Sequence, residues 1–358
     1  MDNSIKNLEI SQNLAKIVVI LGPTSAGKSA MAIQLAQQFD GEIVSVDSRQ
    51  IYHGMDVGTG KVIRDANIKH QTSNIKQNPI RQLADKIQNQ EDIFMSEGVP
   101  HYMIDIIDPQ DTFSAAQFKE MAEEIIADIL RRGKLPILCG GTGFWIKSIV
   151  DNITYPEVQP NWPLREELGK KSAEELFAQL QKLDPRRAKD IDAKNPVRLI
   201  RAIEICATLG TVPQPIRNHE SDANLRINYP TRKFVDSDSF VNSNRSYLQI
   251  GVSVPKEVLH AKIKARLDAR WSDGMLQETE KLHQQGLSWE KIQSFGLGYF
   301  WMPEYLQKKI TLEELYEKVY LAEKDYAKRQ ITWFAKDKRI IWLETYTDIE
   351  KAVTSFLQ

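Results

Sequence analysis

The residues Gly22-Pro23-Thr24-Ser25-Ala26-Gly27-Lys28-Ser29 carry the spacing G-x-x-x-x-G-K-[ST]. Such a loop curls backbone N–H groups around phosphate oxygens, its lysine adds a point charge, and its last hydroxyl holds a magnesium ion. The spacing alone names a ligand class and no reaction, because kinases, NTPases and pyrophosphate-releasing transferases need the same cradle; ATP is its usual occupant. The next candidate follows in Ser45-Val46-Asp47-Ser48-Arg49-Gln50-Ile51-Tyr52. Asp47 ends an apolar run, so it falls at the carboxyl edge of a strand, where ligands of open α/β sheets bind. A carboxylate there ligates a metal, binds an amine or hydroxyl, acts as a general base, or caps the following helix.

These residues need a sheet to hold them, and the first part of the chain reads as one. Ala15 to Leu21, Ile43 to Val46 and Leu135 to Cys139 are short apolar runs, and Val99 to Ile107 reads as extended. Helices are predicted over 29–39 and over 114–132, the second with Phe118, Met121, Ile125 and Ile129 on one face. Apolar strands separated by amphipathic helices imply a parallel sheet covered on both faces. A polar, Gln/Asn-rich insert spans about 62–98. Pro156, Pro160 and Pro163 mark a boundary, beyond which 164–209 is helical apart from breaks at Asp184-Pro185 and Asn195-Pro196. A polar stretch then leads to a strand over 247–254, helices, and a late strand over 339–343. The fold class expected is α/β, a P-loop NTPase-like parallel core from 1–155 and 247–358, with an all-helical insertion at 156–216 and a polar connecting loop at 217–246.

Bulk composition narrows the classes. At 358 residues with 42% hydrophobic and 27% charged side chains, the chain suits one large or two modest soluble domains. Lys+Arg 47 against Asp+Glu 48 leaves no global basic field, so any nucleic-acid contact rests on local patches. Cys139 and Cys206 read as buried thiols of a reducing compartment, and the six histidines are scattered without zinc spacing. Ile17 to Leu21 is too short to span a bilayer and lacks a basic leader. A cytoplasmic, monomeric protein with no membrane association is expected.

Further blocks make the pattern specific. The loop, Val46 to Tyr52, Gly54-Met55-Asp56-Val57-Gly58-Thr59, Val99-Pro100-His101-Tyr102-Met103-Ile104-Asp105, Pro136 to Gly143, Arg198 to Glu204 and Ala327 to Phe334 together resemble the tRNA dimethylallyltransferase family of bacteria. They run in family order over most of the chain. The resemblance implies transfer of a dimethylallyl group from dimethylallyl diphosphate to N6 of the adenine immediately 3′ of the anticodon, with Mg2+ as cofactor and the tRNA anticodon stem-loop as partner. It implies that Asp47 is the general base, that Thr24, Lys28, the loop N–H groups and magnesium at Ser29 stabilise the departing diphosphate, and that an arginine on the helix from Lys256 assists. Lys262, Arg266 and Arg270 recur there at helical spacing; Arg266 is the choice, and the other two are read as a solvated basic face. Asp47, Ser48, Arg49, Gln50 and Thr142, with Arg165, Val197, Arg198, Leu199, Ile200 and Arg201 of the insertion, match family positions that contact tRNA.

The basic run 324–339 interleaves Tyr326, Trp333 and Phe334, a composition suited to RNA, although the last two read as packing residues. The chain departs from the family at Leu297-Gly298-Tyr299-Phe300-Trp301, where a basic contact is lost, at Val197 in place of glutamine and at Arg270 in place of methionine. Three alternatives share the loop: a P-loop kinase of a nucleoside or small metabolite, prenyl transfer to free adenine nucleotides, and an RNA-binding switch. The kinase leaves the later blocks without a purpose, and the helical insertion argues against a free nucleotide. Retention of both Lys28 and Asp47 argues against a switch.

Overall fold

A computed structural model describes residues 14–65, 93–213 and 245–358. Contacts divide the chain into two compact units, Met1–Val150 together with Asn228–Gln358, and Asp151–Ile227.

The first unit is built on a seven-stranded sheet: β1 (Ala15–Leu21), β2 (Gly41–Val46), β3 (Phe94–Ser96), β4 (Val99–Tyr102), β5 (Leu135–Gly140), β6 (Arg245–Val252) and β7 (Ile341–Leu343), in the order β3-β4-β2-β5-β1-β6-β7. All pairs are parallel except the β3–β4 hairpin. The apolar runs alternate between two layers, as strands buried on both faces must. Val18, Ile20, Ile43 and Ile137 meet Ala32, Ile33, Leu35 and Ala36 of α1 (Lys28–Gln38) and Ile349 and Val353 of α13 (Tyr346–Leu357). Ile17, Val19, Leu21, Val44 and Leu138 turn the other way, toward Phe118, Met121, Ile126 and Ile129 of α2 (Ala115–Arg131) and Trp145, Ile146 and Ile149 of α3 (Gly143–Val150). Ser114 starts α2 with a capping box closed by Gln117.

The rest of this unit is helical: α8 (Lys256–Ser272), α9 (Met275–Gln284), α10 (Trp289–Ser294), α11 (Gly298–Leu306) and α12 (Leu312–Phe334). Of these, α8 and α12 bring side chains to the end of the sheet where β1 leaves off.

The second unit contains α4 (Trp162–Leu168), α5 (Ala173–Leu183), α6 (Pro185–Asp190) and α7 (Pro196–Leu209), each opened by a side-chain cap from Asn161, Ser172, Asp184 or Asn195. Leu168, Leu176, Leu180, Leu199 and Ile203 form its core. Glu204 is buried at 1% exposure and accepts from the Asn161 N–H at 2.6 Å and from Arg165 Nε and Nη2 at 2.8 Å each, with Arg201 completing the cluster.

Several boundaries differ from expectation. Only Val99–Tyr102 of the stretch 99–107 is strand, because Met103 and Asp105 take positive φ (63° and 52°) and turn the chain; Ile107 then bridges to Tyr52. The polar insert contributes β3 at its end, and its greater part, 66–92, lies outside the described residues. The connecting stretch lies outside them over 214–244, and Arg245 and Ser246 already belong to β6. The helical stretch has a further break at 169–172, where the Ser172–Glu175 capping box starts a new helix.

Candidate active site

The loop Gly22–Ser29 leaves β1 and enters α1 through Gly27, whose φ of 94° suits glycine. Gly27 gives α1 no side-chain cap and the first turn holds no acidic residue. The first N–H groups of α1 therefore lack an intrahelical partner, which makes this end a seat for an anion. Lys28 Nζ donates to Pro23 O at 2.6 Å, folded back on its own loop. Asp47 follows β2 directly. Its Oδ1 accepts the Arg49 N–H at 3.0 Å, closing a turn instead of capping a helix, and Arg49 Nε lies 3.9 Å away. Among the described residues no hydrogen bond reaches Asp47 Oδ2. The β5 side supplies Thr142, whose Oγ1 accepts the Ser48 N–H at 3.0 Å.

The other wall comes from distant chain segments. Arg266 on α8 donates through Nη1 to Thr24 Oγ1 at 3.1 Å and through Nη2 to Gly60 O at 2.8 Å. Gly60 allows this approach: its φ is 62°, and a Cβ there would fall 2.0 Å from Nη2. The loop 56–60 is fastened from α9 by Glu278, which accepts N–H groups of Asp56 and Val57 at 2.7 Å each and of Gly58 at 2.9 Å, and also the Tyr299 hydroxyl at 2.6 Å. From α12, Gln330 Oε1 accepts the Thr24 N–H at 2.7 Å while its Nε2 donates to Gly141 O at 3.0 Å, tying the loop after β1 to the turn after β5. Tyr326 lies under the Arg49 guanidinium at 4.6 Å. Thr24, Lys28, Ser29, Asp47, Arg49, Gln50, Arg266, Glu323, Tyr326 and Gln330 all line one cleft.

Charge in the cleft is tuned by burial. Desolvation brings the Lys28 ammonium down to about 8, with Arg266 adding to the effect and Cys139 and Asp47 opposing it. The same burial pushes the Cys139 thiol up to about 11, so it stays protonated beside Lys28. Arg266 is lowered by desolvation first and by the neighbouring Arg270 second. Cations held without full solvation favour an anionic ligand that replaces water.

The expected loop residues, Asp47, Ser48, Arg49, Gln50, Thr142 and Arg266 thus meet at one end of the sheet. The expected residues of the second unit are placed differently from one another. Val197 is 75% exposed and Arg198 is exposed, whereas Leu199 is fully buried in the helical core. The side chain of Leu199 is thus committed to the core of this unit and presents no surface of its own. Ile200 packs partly against that core, and Arg165 and Arg201 are engaged with Glu204.

Arg270 requires correction. It is no solvated basic residue: it is 7% exposed and paired with Glu323 at 2.9 Å, while Lys262 is exposed as expected. Leu259, Ile263, Leu267 and Arg270 form the buried stripe of α8, and that periodicity was the available signal. Glu323 and Gln330 likewise occupy the stripe of α12 that buries Leu315, Val319, Ala327 and Phe334. Phe334 is core as expected; Trp333 is 37% exposed and lies over Gly143. Phe300, at the departure from the family pattern, is 43% exposed. Both cysteines are unpaired and buried.

The sheet, its helical cover and the loop after β1 define a P-loop-like α/β protein with a second, helical unit. A family model described as IPP transferase matches residues 81–337, and another, described as isopentenyl transferase, matches residues 15–100. A tRNA dimethylallyltransferase of Acetivibrio thermocellus is 34% identical over 331 residues, 91% of each chain. Crystal structures of a tRNA isopentenylpyrophosphate transferase from Bacillus halodurans (28% identical, TM-score 0.61, 96% of this chain and 97% of that one) and of a tRNA delta(2)-isopentenylpyrophosphate transferase from Staphylococcus epidermidis (30%, TM-score 0.57, 96% and 98%) share the fold. The chain belongs to the tRNA dimethylallyltransferase family and is a prenyltransferase.

Proposed function

We propose that the cleft binds dimethylallyl diphosphate and that the protein transfers its dimethylallyl group to N6 of the adenine immediately 3′ of the anticodon in tRNA. The observation that carries this reading is that a carboxylate, Asp47, shares one cleft with Thr24, Lys28, Ser29 and Arg266. The N6 lone pair is delocalised into the purine ring, so attack needs help. As the N6–carbon bond forms, the allylic C–O bond breaks and its electron pair leaves on diphosphate. The N6 proton passes to Asp47 Oδ2, the oxygen not engaged by Arg49. Charge grows on the diphosphate, and the α1 N-terminus, Lys28, Thr24 and Arg266 are arranged to stabilise it. The adenine must first leave the anticodon-loop stack; Arg49 over Tyr326 offers a planar surface beside Asp47.

Magnesium fits this donor set. Ser29 and Asp47 supply hard oxygens at one cleft, and the described residues contain no group of three or more His, Cys, Asp or Glu side chains able to hold a metal. That suits an ion which keeps its waters and binds chiefly through substrate phosphates. Ser29 would hold it, and when bound it would neutralise diphosphate charge. The partner is tRNA, dimethylallyl diphosphate is the donor, and cytoplasmic action follows from the tRNA substrate; among the described residues no helix is long and apolar enough to cross a membrane.

Incubation with labelled dimethylallyl diphosphate and unmodified tRNA tests the reaction, beside an assay of γ-phosphate transfer from ATP. Label in tRNA nucleosides as isopentenyl-adenosine is expected. Phosphoryl transfer with no label in tRNA rejects the proposal in favour of a kinase.

A further inference from the structure

Among the residues lining the cleft, the cations Lys28, Arg49, Arg266 and Arg270 face only two carboxylates, Asp47 and Glu323. Arg270 has no part in the mechanism above, yet it is 7% exposed and stands one helical turn after Arg266 on α8. Its Nη1 donates to Gly58 O at 2.9 Å and its Nη2 to Glu323 Oε1 at 2.9 Å. Its Nε–H is buried with no hydrogen-bond partner among the described residues.

A buried guanidinium with an orphaned donor is costly, and a second guanidinium one turn away adds repulsion. An anion with two linked phosphates relieves both. Arg266 lines the cleft beside Thr24 and Arg270 lines it beside Gly58, so one such anion there meets both charges. Gly58 and Glu323 fix the Arg270 fork beforehand, so little side-chain entropy is lost on binding.

We propose that Arg270 is a second diphosphate-binding arginine, acting beside Arg266 and held ready by Glu323 and the Gly58 carbonyl. This rests on the reading of the cleft as a diphosphate site. The competing role is neutralisation of Glu323 alone, and the two roles differ in what a double substitution does.

Calorimetric titration of the full-length protein with inorganic pyrophosphate and Mg2+ separates them, since it needs neither tRNA nor turnover. Arg270→Met is expected to weaken pyrophosphate binding about 10- to 100-fold, the range for a lost hydrogen bond to a charged group. Arg270→Met/Glu323→Gln removes both members of the buried pair, so it keeps the test open if the single variant unfolds. It is expected to bind as weakly as Arg270→Met. Wild-type affinity in the double variant overturns the proposal, because Arg270 then only balances Glu323; so does unchanged affinity in a folded Arg270→Met. Lys28→Met serves as control. If it too leaves affinity unchanged, the diphosphate reading of the cleft fails along with the proposal.

Discussion

Replacing Asp47 by asparagine keeps the side chain's shape and its acceptor for the Arg49 N–H but removes the base. Asp47→Asn is expected to lower single-turnover prenyl transfer by about 10²- to 10⁴-fold, with pyrophosphate affinity changed no more than a few-fold. Near-normal turnover would remove Asp47 from the mechanism. Lys28 gives a pH signature. Its folded value of about 8 lies below the ordinary 10.5, so between those values the empty protein binds fewer protons than the unfolded chain and gains stability as pH rises. The anion binds the protonated lysine. The ratio of wild-type to Lys28→Met pyrophosphate affinity, in which the ligand's own titration cancels, should therefore be level below pH 8 and fall as pH rises through it, by up to about tenfold per pH unit. A ratio that stays constant through pH 8 removes Lys28 from the titration.

At the scale of elements, the loop 56–60 is a passive arm shaped by its neighbours. One carboxylate, Glu278 of α9, gathers three of its N–H groups, and the loop in turn presents Gly60 O to Arg266. Glu278→Ala should release the amides of Asp56, Val57 and Gly58 to hydrogen exchange. It should also cut kcat/KM by about tenfold or more, as a small displacement of a positioning group does. Unchanged exchange at those amides would disprove the clamp.

The elements themselves were largely legible. β1, β2 and β5 are continuous apolar runs because both sheet faces are covered, and Ser114, Asp184 and Asn195 announce helix starts by cap chemistry. Half of the cleft was legible for a related reason: the loop after β1 and Asp47 after β2 are local patterns. Glu278, Glu323 and Gln330 were not, because each acts through a partner 53 to 306 positions away that no spacing discloses. Glu323 and Gln330 left only the trace of a polar residue on an otherwise apolar stripe.

At the scale of the whole molecule, the second unit ties Asn161, Arg165 and Arg201 to one buried charge beside its apolar core. Glu204 is held down to about 2: burial opposes its charge, but Arg165, the Asn161 N–H and Arg201 outweigh it. Its contribution is present above the ordinary 4.5 and is lost as pH falls from there toward 2. Glu204→Ala leaves two partly exposed arginines without their carboxylate and should destabilise the unit Asp151–Ile227 by about 1–3 kcal/mol. Limited proteolysis read within 151–213 checks it, and wild-type resistance there would show the cluster to be dispensable.

The pairing of β1 with β6 has a consequence for how the protein is made. All seven residues of β1 find partners on β6, from Ala15 opposite Arg245 to Leu21 opposite Gly251. Some 230 positions, the helical unit among them, separate the two strands in the chain. At a synthesis rate of about 5–20 residues per second, β6 reaches the ribosome exit roughly 12–46 s after β1. During that interval an apolar strand keeps an unpaired edge, a template for mispairing with other nascent chains. A chain ending at Asn244 should accordingly aggregate or engage chaperones where the full-length chain does not. The loop that follows β1 is translated long before its supporting strand and the helices carrying Arg266 and Gln330.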